Sequence, residues 1–66
     1  SPMQYLTQWR MTMAANLLCR SKASLARIAE DVGYQTDTAF IRAFRREYGV
    51  PPATWRRRRS AQPEAA

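Results

Sequence analysis

The sequence contains no histidine and a single cysteine, Cys19. Without histidine or a second thiol, the chain lacks the usual ligand sets for zinc and cannot close an internal disulfide. Nothing in its composition resembles a catalytic site, so we expect no enzyme activity, no metal and no cofactor. A lone cysteine, which we expect to be buried, is typical of proteins that work in a reducing compartment.

The sequence also lacks long apolar runs, and acidic residues are few. Because a membrane-spanning helix needs about 20 consecutive apolar residues, we expect no membrane span, and we see no secretory signal. Lys and Arg outnumber Asp and Glu by 11 to 5, which gives a net charge of +6 over 66 residues. A small domain this basic most often binds a polyanion, and nucleic acid is the first candidate. We therefore expect a cytoplasmic protein with a thin core and no deep enzyme pocket.

Only two glycines are present, and one of them, Gly33, separates two apolar stripes at helical spacing. The first stripe follows Ser24, a suitable N-cap, and predicts a helix over residues 25–32. The second follows Thr36, another suitable N-cap, and predicts a helix over residues 37–48. The two stripes consist of Leu25, Ile28, Ala29 and Val32, and of Phe40, Ala43, Phe44 and Tyr48.

The turn between these two helices must be short. Gly33 can take the left-handed backbone conformation that ends a helix, and the small side chain of Ala29 lets the second helix cross the first closely. This spacing predicts helix-turn-helix geometry over residues 24–49. Spacing alone does not separate it from an ordinary pair of antiparallel helices inside a larger bundle.

Residues 1–20 predict a long amphipathic helix of about five turns, with Ser1 as its N-cap and Pro2 at the first helical position. Its apolar stripe consists of Tyr5, Leu6, Trp9, Met13, Ala14, Leu17 and Leu18. A helix lying in a membrane interface would carry such a stripe too, but its polar face should be rich in Lys and Arg, whereas this one is largely Gln, Thr and Asn. Packing of the stripe in the core is the preferred interpretation, and residues 21–24 form a polar linker to the next helix.

Two prolines mark the start of the last helix. Pro51 and Pro52 cannot continue the preceding helix but suit the first turn of a new one, which predicts a short helix over residues 51–59. Trp55 is its expected anchor in the core. Residues 60–66 are expected to form a disordered tail. The sequence as a whole predicts an all-α domain, a small bundle of about four helices.

The outer face of the second short helix is basic and carries a hydroxyl group. Thr38, Arg42 and Arg45 lie opposite the apolar stripe, with Ile41 and Arg46 on the flanks. Arginine can reach a guanine edge or a phosphate, and a branched apolar side chain suits a thymine methyl, so this face favours DNA. In the alternative interpretation it is a solvated face whose arginines pair with nearby acids, and Ile41 is a residue at the edge of the core.

Four segments of the sequence are distinctive in combination. They are RMTMAANLL at residues 10–18, LARIAEDVGY at 25–34, FIRAF at 40–44 and YGVPP at 48–52. Together they resemble the second helix-turn-helix of the AraC/XylS family of bacterial transcription regulators. Trp55 and Arg56 stand where members usually have a tyrosine and a basic residue, which keeps an aromatic anchor at this position.

The resemblance implies a homeodomain-like helix-turn-helix that binds the major groove of double-stranded DNA. In the family, two such subdomains are joined by a long helix, which here would be residues 2–19, and residues 37–48 would be the recognition helix. The DNA-binding residues would be Thr36, Asp37, Thr38, Ile41, Arg42, Arg45 and Arg46. Phosphate contacts are expected from Gln35, Arg56, Arg57 and Arg58, and the structural turn from Ala29 and Gly33.

The same resemblance implies contact with RNA polymerase. It also implies that the first helix-turn-helix and an effector domain are absent from this chain, which we take to be a fragment of a longer regulator. Two other functions are compatible with the sequence. One is an RNA-binding or ribosome-associated module that uses the arginine run at residues 56–59, and the other is a protein-interaction domain that uses Tyr5, Trp9 and Met13.

Overall fold

The computed structural model describes residues 2–61, which fold into four helices. The helices are α1, Pro2–Arg20; α2, Leu25–Asp31; α3, Asp37–Tyr48; and α4, Pro52–Ala61. The prediction of an all-α domain with four helices is confirmed. None of these helices combines the length and the hydropathy of a membrane span. The expected N-cap at Ser1 and most of the expected tail, residues 62–66, lie outside the described residues.

Side chains at the two predicted N-caps fix the starts of α2 and α3. The hydroxyl oxygen of Ser24 accepts a hydrogen bond from the backbone N–H of Arg27, and that of Thr36 accepts one from Ala39, both at 3.1 Å. Each bond satisfies an amide group that the first turn of a helix leaves without a partner. Replacing such a cap by alanine typically costs about 1 kcal/mol, so both positions contribute to stability.

Backbone hydrogen bonds around Gly33 close the turn between α2 and α3. This glycine has a φ angle of +94°, in the left-handed region. Its N–H donates to the carbonyl of Glu30 at 3.1 Å, and the N–H of Tyr34 donates to that of Ala29 at 2.8 Å. The two bonds form a Schellman motif, which ends the helix and redirects the chain at once. α2 stops one residue before the predicted end, because the residue preceding Gly33 is its C-cap.

The core lies where α1, α2 and α3 meet. Its buried side chains are Met11, Ala14, Leu18, Ile28, Ala29, Val32, Phe40, Ala43 and Phe44. Both predicted stripes around the turn therefore face the core, except that Tyr48, at the end of the second stripe, is 37% exposed. Phe40 and Phe44 are fully buried, and burying one phenylalanine contributes roughly 1.5–3 kcal/mol. Ala29 is only 1% exposed, which agrees with the expected close approach of α2 and α3.

The apolar stripe of α1 is only partly buried, so the preferred interpretation, that the stripe packs in the core, is wrong for the first half of the helix. Leu18 is buried, but Leu6 is 38% and Trp9 is 55% exposed. Met11, which the predicted stripe left out, is buried. The physical reason is length. α1 has 19 residues and α2 has seven, so the short α2 cannot cover α1 along its whole length.

Cys19 is exposed near the end of α1, so the expected burial of its thiol is also wrong. The prediction followed the general tendency of unpaired cysteines to be buried. On this helix Leu18 points inward, and the side chain of the next residue is rotated by about 100° around the helix axis. Position on the helix therefore overrides the tendency of the residue type.

α4 closes the bundle by packing against α1 and α3. Trp55 contacts Phe44 and Tyr48, with ring centroids 5.7 and 5.8 Å apart, and it anchors the helix as predicted. The helix runs from Pro52 to Ala61 instead of over residues 51–59. The expected disorder from residue 60 onward is therefore wrong for the first two residues of that segment, which continue the helix.

Candidate nucleic-acid interface

The outer face of α3 is exposed and basic. Phe40 and Phe44 point into the core, so the periodicity of the helix turns Thr38, Arg42 and Arg45 toward solvent. Arg46 is exposed beside them. The structure thus brings four of the residues expected to bind DNA together on one surface, which we call the α3 outer face: Thr38, Arg42, Arg45 and Arg46.

The arginines of the α3 outer face form no ion pairs within the part of the chain that is described. The ion pair found there lies on α2, where Arg27 approaches Asp31 to 3.2 Å. Arg45 and Arg46 do not pair with Glu47, because residues one or two positions apart on a helix point in different directions. A face stabilised by its own salt bridges is therefore not observed, and these guanidinium groups are available to an external anion.

Polar side chains surround the N-terminus of α3. Gln35, Thr36 and Asp37 are all exposed there. The oxygen of Thr36 is occupied as the acceptor for Ala39, but its O–H can still donate to a phosphate. The carboxylate of Asp37 repels phosphates and can accept a hydrogen bond from the amino group of cytosine. This end of the helix can therefore offer a phosphate donor next to a base-edge acceptor.

Ile41 lies at the edge of the core. Its side chain is half-buried and packs against the buried cluster, while its neighbour Arg42 is exposed. Its position is therefore compatible both with a thymine contact and with a place at the edge of the core. The inner part of the side chain belongs to the core, and the remaining surface lies beside the α3 outer face.

Arg56 does not share the exposed surface of the neighbouring arginines. Its Nε donates to the carbonyl oxygen of Leu18 at 3.1 Å. Its Nη1 and Nη2 donate to the carbonyl oxygens of Ala23 and Ser21 at 2.8 and 3.1 Å. The guanidinium is turned into the protein, which corrects its expected place among the phosphate contacts. Three of its five N–H donors are thereby already used inside the protein.

The rest of the arginine run is also divided between surfaces. Arg57, Arg58 and Arg59 are all exposed, and the guanidinium of Arg59 lies 5.0 Å from the ring centroid of Trp55. Because successive helical residues are about 100° apart, four consecutive arginines cannot share one face. Arg57 and Arg58 stay candidate phosphate contacts.

Arg10 of α1 supports the turn in a way that the hydrophobic pattern did not indicate. Its guanidinium lies 5.7 Å from the ring centroid of Tyr34, a cation–π contact. A β-carbon added to Gly33 would lie 3.5 Å from the Cζ of Arg10, so this side chain also covers the turn glycine. The only sequence feature that pointed to a role for Arg10 is its position at the start of the segment RMTMAANLL. A single charged residue in an amphipathic helix otherwise suggests exposure to solvent.

The N-terminal half of α1 carries an exposed apolar face. We call it the α1 apolar face, and it consists of Met3, Tyr5, Leu6 and Trp9. An open groove of about 470 Å³ lies beside it, lined by Met3, Gln4, Thr7, Gln8, Arg46 and Glu47. The groove therefore joins the start of α1 to the end of α3, next to one edge of the α3 outer face.

The chain matches the family model of the helix-turn-helix domain over residues 1–58. It is 45% identical over 56 residues to an AraC-like transcription regulator of Streptomyces lividans. It is 38% identical over 58 residues to the RCS-specific HTH-type transcriptional activator RclR of Escherichia coli. These matches cover 85% and 88% of this chain but 18% and 20% of the two relatives, so the chain spans about a fifth of their length.

Two similar solved structures have the same fold over nearly the whole chain. The DNA-binding domain of AdpA, in complex with a target DNA, matches with a TM-score of 0.88 and 32% identity, covering 98% of this chain and 60% of that one. The C-terminal domain of AraT, a response regulator from Geobacillus stearothermophilus, matches with a TM-score of 0.88 and 39% identity. That match covers 100% of this chain and 54% of the other.

Proposed function

Because the chain belongs to the AraC-type family of helix-turn-helix domains, we propose that it binds double-stranded DNA sequence-specifically and so takes part in regulating transcription. The observation that carries this proposal is the α3 outer face, which is exposed, basic and without internal ion pairs in the described chain. An α-helix fits the major groove of B-DNA. The buried phenylalanines on the opposite side of α3 hold the helix rigidly for such a contact.

We assign different contacts to the two halves of α3. In helix-turn-helix proteins the N-terminal part of the recognition helix contacts base edges. Asp37, Thr38 and Arg42 occupy that part, with the exposed portion of Ile41 beside them. Arg45 and Arg46 are about a turn later, where a helix in the groove approaches the phosphates of its wall. Sequence is therefore read mainly by the first half and affinity is supplied mainly by the second.

Phosphate contacts on both sides of α3 would fix the domain on the duplex. Gln35 and Thr36 lie at the start of the helix, and Arg57 and Arg58 project from α4. Such contacts orient a protein on DNA without reading sequence. The net charge of +6 supplies the long-range attraction that brings the domain to DNA.

The RNA-binding alternative depended on a continuous run of arginines at residues 56–59. The four arginines do not form one patch, because the guanidinium of Arg56 is hydrogen-bonded within the protein while Arg57, Arg58 and Arg59 are exposed. The relatives named above are transcription regulators, and one similar solved domain is bound to DNA. These observations favour duplex DNA over RNA.

We also propose that the chain is one half of a bipartite DNA-binding unit with α1 as the bridging helix. The two similar solved domains extend well beyond the part shared with this chain. In this proposal the α1 apolar face packs against the other helix-turn-helix subdomain, because four large apolar side chains need a partner surface. The family resemblance adds RNA polymerase as a partner of the whole regulator, which would work in the bacterial cytoplasm at the nucleoid.

A competition experiment tests the choice of ligand. Fluorescence anisotropy at low salt should show the 66-residue chain binding a labelled duplex, with unlabelled duplex competing better than single-stranded RNA of equal charge. Arg42→Ala should weaken binding to the duplex, and Arg27→Ala, which removes an arginine already paired with Asp31, should have a smaller effect. Preferential competition by the single-stranded RNA would contradict the proposal and support the RNA-binding alternative.

A further inference from the structure

Arg56 joins α4 to the end of α1 and to the linker that follows it. The carbonyl of Leu18 is one of the last four in α1, which have no partner inside the helix. Nε of Arg56 donates to it at 3.1 Å. The carbonyls of Ser21 and Ala23 belong to the linker, and the two terminal nitrogens of the same guanidinium donate to them. One side chain thus contacts three points of a segment more than 30 residues away in sequence.

The linker that Arg56 holds is short and has no regular structure, so its conformation depends on side chains. The hydroxyl of Ser21 donates to the carbonyl of Leu17 at 2.8 Å and accepts from the N–H of Ala23 at 3.3 Å. Ser24 then caps α2. These bonds act locally, whereas the hydrogen bonds of Arg56 connect the linker to another helix. The positive guanidinium also lies at the C-terminal end of α1, where the helix dipole favours a cation.

We propose that Arg56 is a positioning residue that fixes the angle between α1 and the helix-turn-helix. The linker is the covalent path from α1 to α2, so holding two of its carbonyls together with one at the end of α1 restricts how α2 and α3 can rotate relative to α1. The arrangement needs the planar fork of arginine, since lysine has a single nitrogen and cannot reach all three acceptors. One consequence rests on the proposed function: if α1 joins two reading units, this angle sets the spacing between them on DNA.

A first test needs no substitution and no DNA. In NMR spectra of the 66-residue chain, the Nε–H of Arg56 should exchange with water at least about tenfold more slowly than that of Arg57, because a charged hydrogen bond protects it. Arg57 is the matched control, since it is exposed on the same helix. Equal exchange rates for the two side chains would overturn the proposal.

A second test separates positioning from general stabilisation. Arg56→Lys keeps the charge but removes the fork, so amide exchange at Ser21 and Ala23 should accelerate at least about tenfold. Exchange in the core, at Phe44, should change less, and Arg57→Lys should change neither. If lysine preserves the protection at the linker, or if all amides accelerate by the same factor, Arg56 is not a positioning residue.

DNA titrations then distinguish this role from a phosphate contact. Adding duplex should shift the side-chain resonances of Arg57 and leave the Nε–H of Arg56 in place, and the slope of log K against log salt should be the same for Arg56→Lys as for the wild type. A slope that flattens by about 0.9 with Arg56→Gln but not with Arg56→Lys would show a phosphate contact and overturn the assignment. A chain that binds no DNA would contradict the proposed function alone, because the two exchange experiments are made without DNA.

Discussion

Arg42 and Arg46 lie one turn apart on α3, and from this difference in position we propose different roles for them in DNA binding. Both are exposed, and neither forms an ion pair within residues 2–61. Arg42 belongs to the half of the helix that would enter the groove, where its guanidinium can form two hydrogen bonds to a guanine. In the proposed complex Arg46 would lie nearer the groove wall, beside a phosphate that every sequence presents.

We expect Arg42→Ala to lower affinity for the preferred duplex by about 1–3 kcal/mol and to relax discrimination at one or two base pairs. Arg46→Ala should weaken binding to all duplexes by a similar factor. The preferred duplex is first selected from a random library at low salt. Titrations with this duplex and with its single-base variants then measure both effects. Unchanged base discrimination in Arg42→Ala would show that Arg42 contacts only phosphate.

Ile41 should contribute to both stability and recognition. Because its side chain is half-buried, Ile41→Ala should lower the free energy of unfolding by about 1–2 kcal/mol, less than the loss of a fully buried isoleucine. Replacing the contacted thymine by uracil, which lacks the methyl group, should weaken DNA binding by the wild type more than binding by Ile41→Ala. The coupling free energy between the two changes should be at least about 0.5 kcal/mol. Thermal unfolding measures the change in stability, and binding titrations of the four protein–DNA combinations measure the coupling. If uracil costs both proteins the same, Ile41 acts only at the edge of the core.

The residues of the α3 outer face could be predicted from the sequence because a helix has a fixed period. Once Phe40 and Phe44 are placed inward, the direction of Thr38 and Arg42 follows. The role of Arg56 could not be predicted in this way. Its three acceptors are backbone carbonyls 33 to 38 residues away, and no local pattern encodes them.

At the scale of elements, several contacts reinforce the turn between α2 and α3. The Schellman motif at Gly33 ends α2, the hydroxyl of Thr36 starts α3, and Arg10 of α1 covers the turn. All but the last are local signals, which explains why the bounds of these two helices were predicted within one residue. The burial of α1 depends on what lies opposite it, and its sequence does not contain that information.

We expect Ala29→Leu to lower the free energy of unfolding by about 1–3 kcal/mol, because a larger side chain would overpack the site where α2 meets the core. Ala26→Leu, at an exposed position of the same helix, is the matched control and should change stability by less than about 0.5 kcal/mol. Thermal unfolding followed by circular dichroism compares them. An unchanged midpoint for Ala29→Leu would mean that α2 and α3 do not pack closely.

At the scale of the whole molecule, arginines occur on all four helices, whereas acidic residues occur on two of them. α1 and α4 contain no acidic residue, and acids in the described chain are confined to α2 and α3. The composition alone indicated a polyanionic partner. It could not indicate that the arginine run of α4 is divided into an inward side chain and exposed ones, since that division appears only when the helix is placed against α1.

The affinity of the 66-residue chain for duplex DNA should be weak and strongly dependent on salt. A domain with a single reading helix should bind with Kd of about 10⁻⁴ to 10⁻⁶ M, and contacts to about 3–5 phosphates give a slope of log K against log salt of about −3 to −4.5. Replacing Arg57 and Arg58 together by glutamine should flatten the slope by up to about 1.8 without changing base preference. Affinity that does not depend on salt would contradict the assigned phosphate contacts.

The central claim, that the α3 outer face reads duplex DNA, is tested most directly by mapping the contact surface in solution. NMR titration of the 66-residue chain with its preferred duplex should give the largest resonance changes at Thr38, Arg42 and Arg45, with smaller changes at Arg57 and Arg58. The α1 apolar face, represented by Trp9, should be nearly unaffected. Changes concentrated on that face, with α3 unperturbed, would contradict the account.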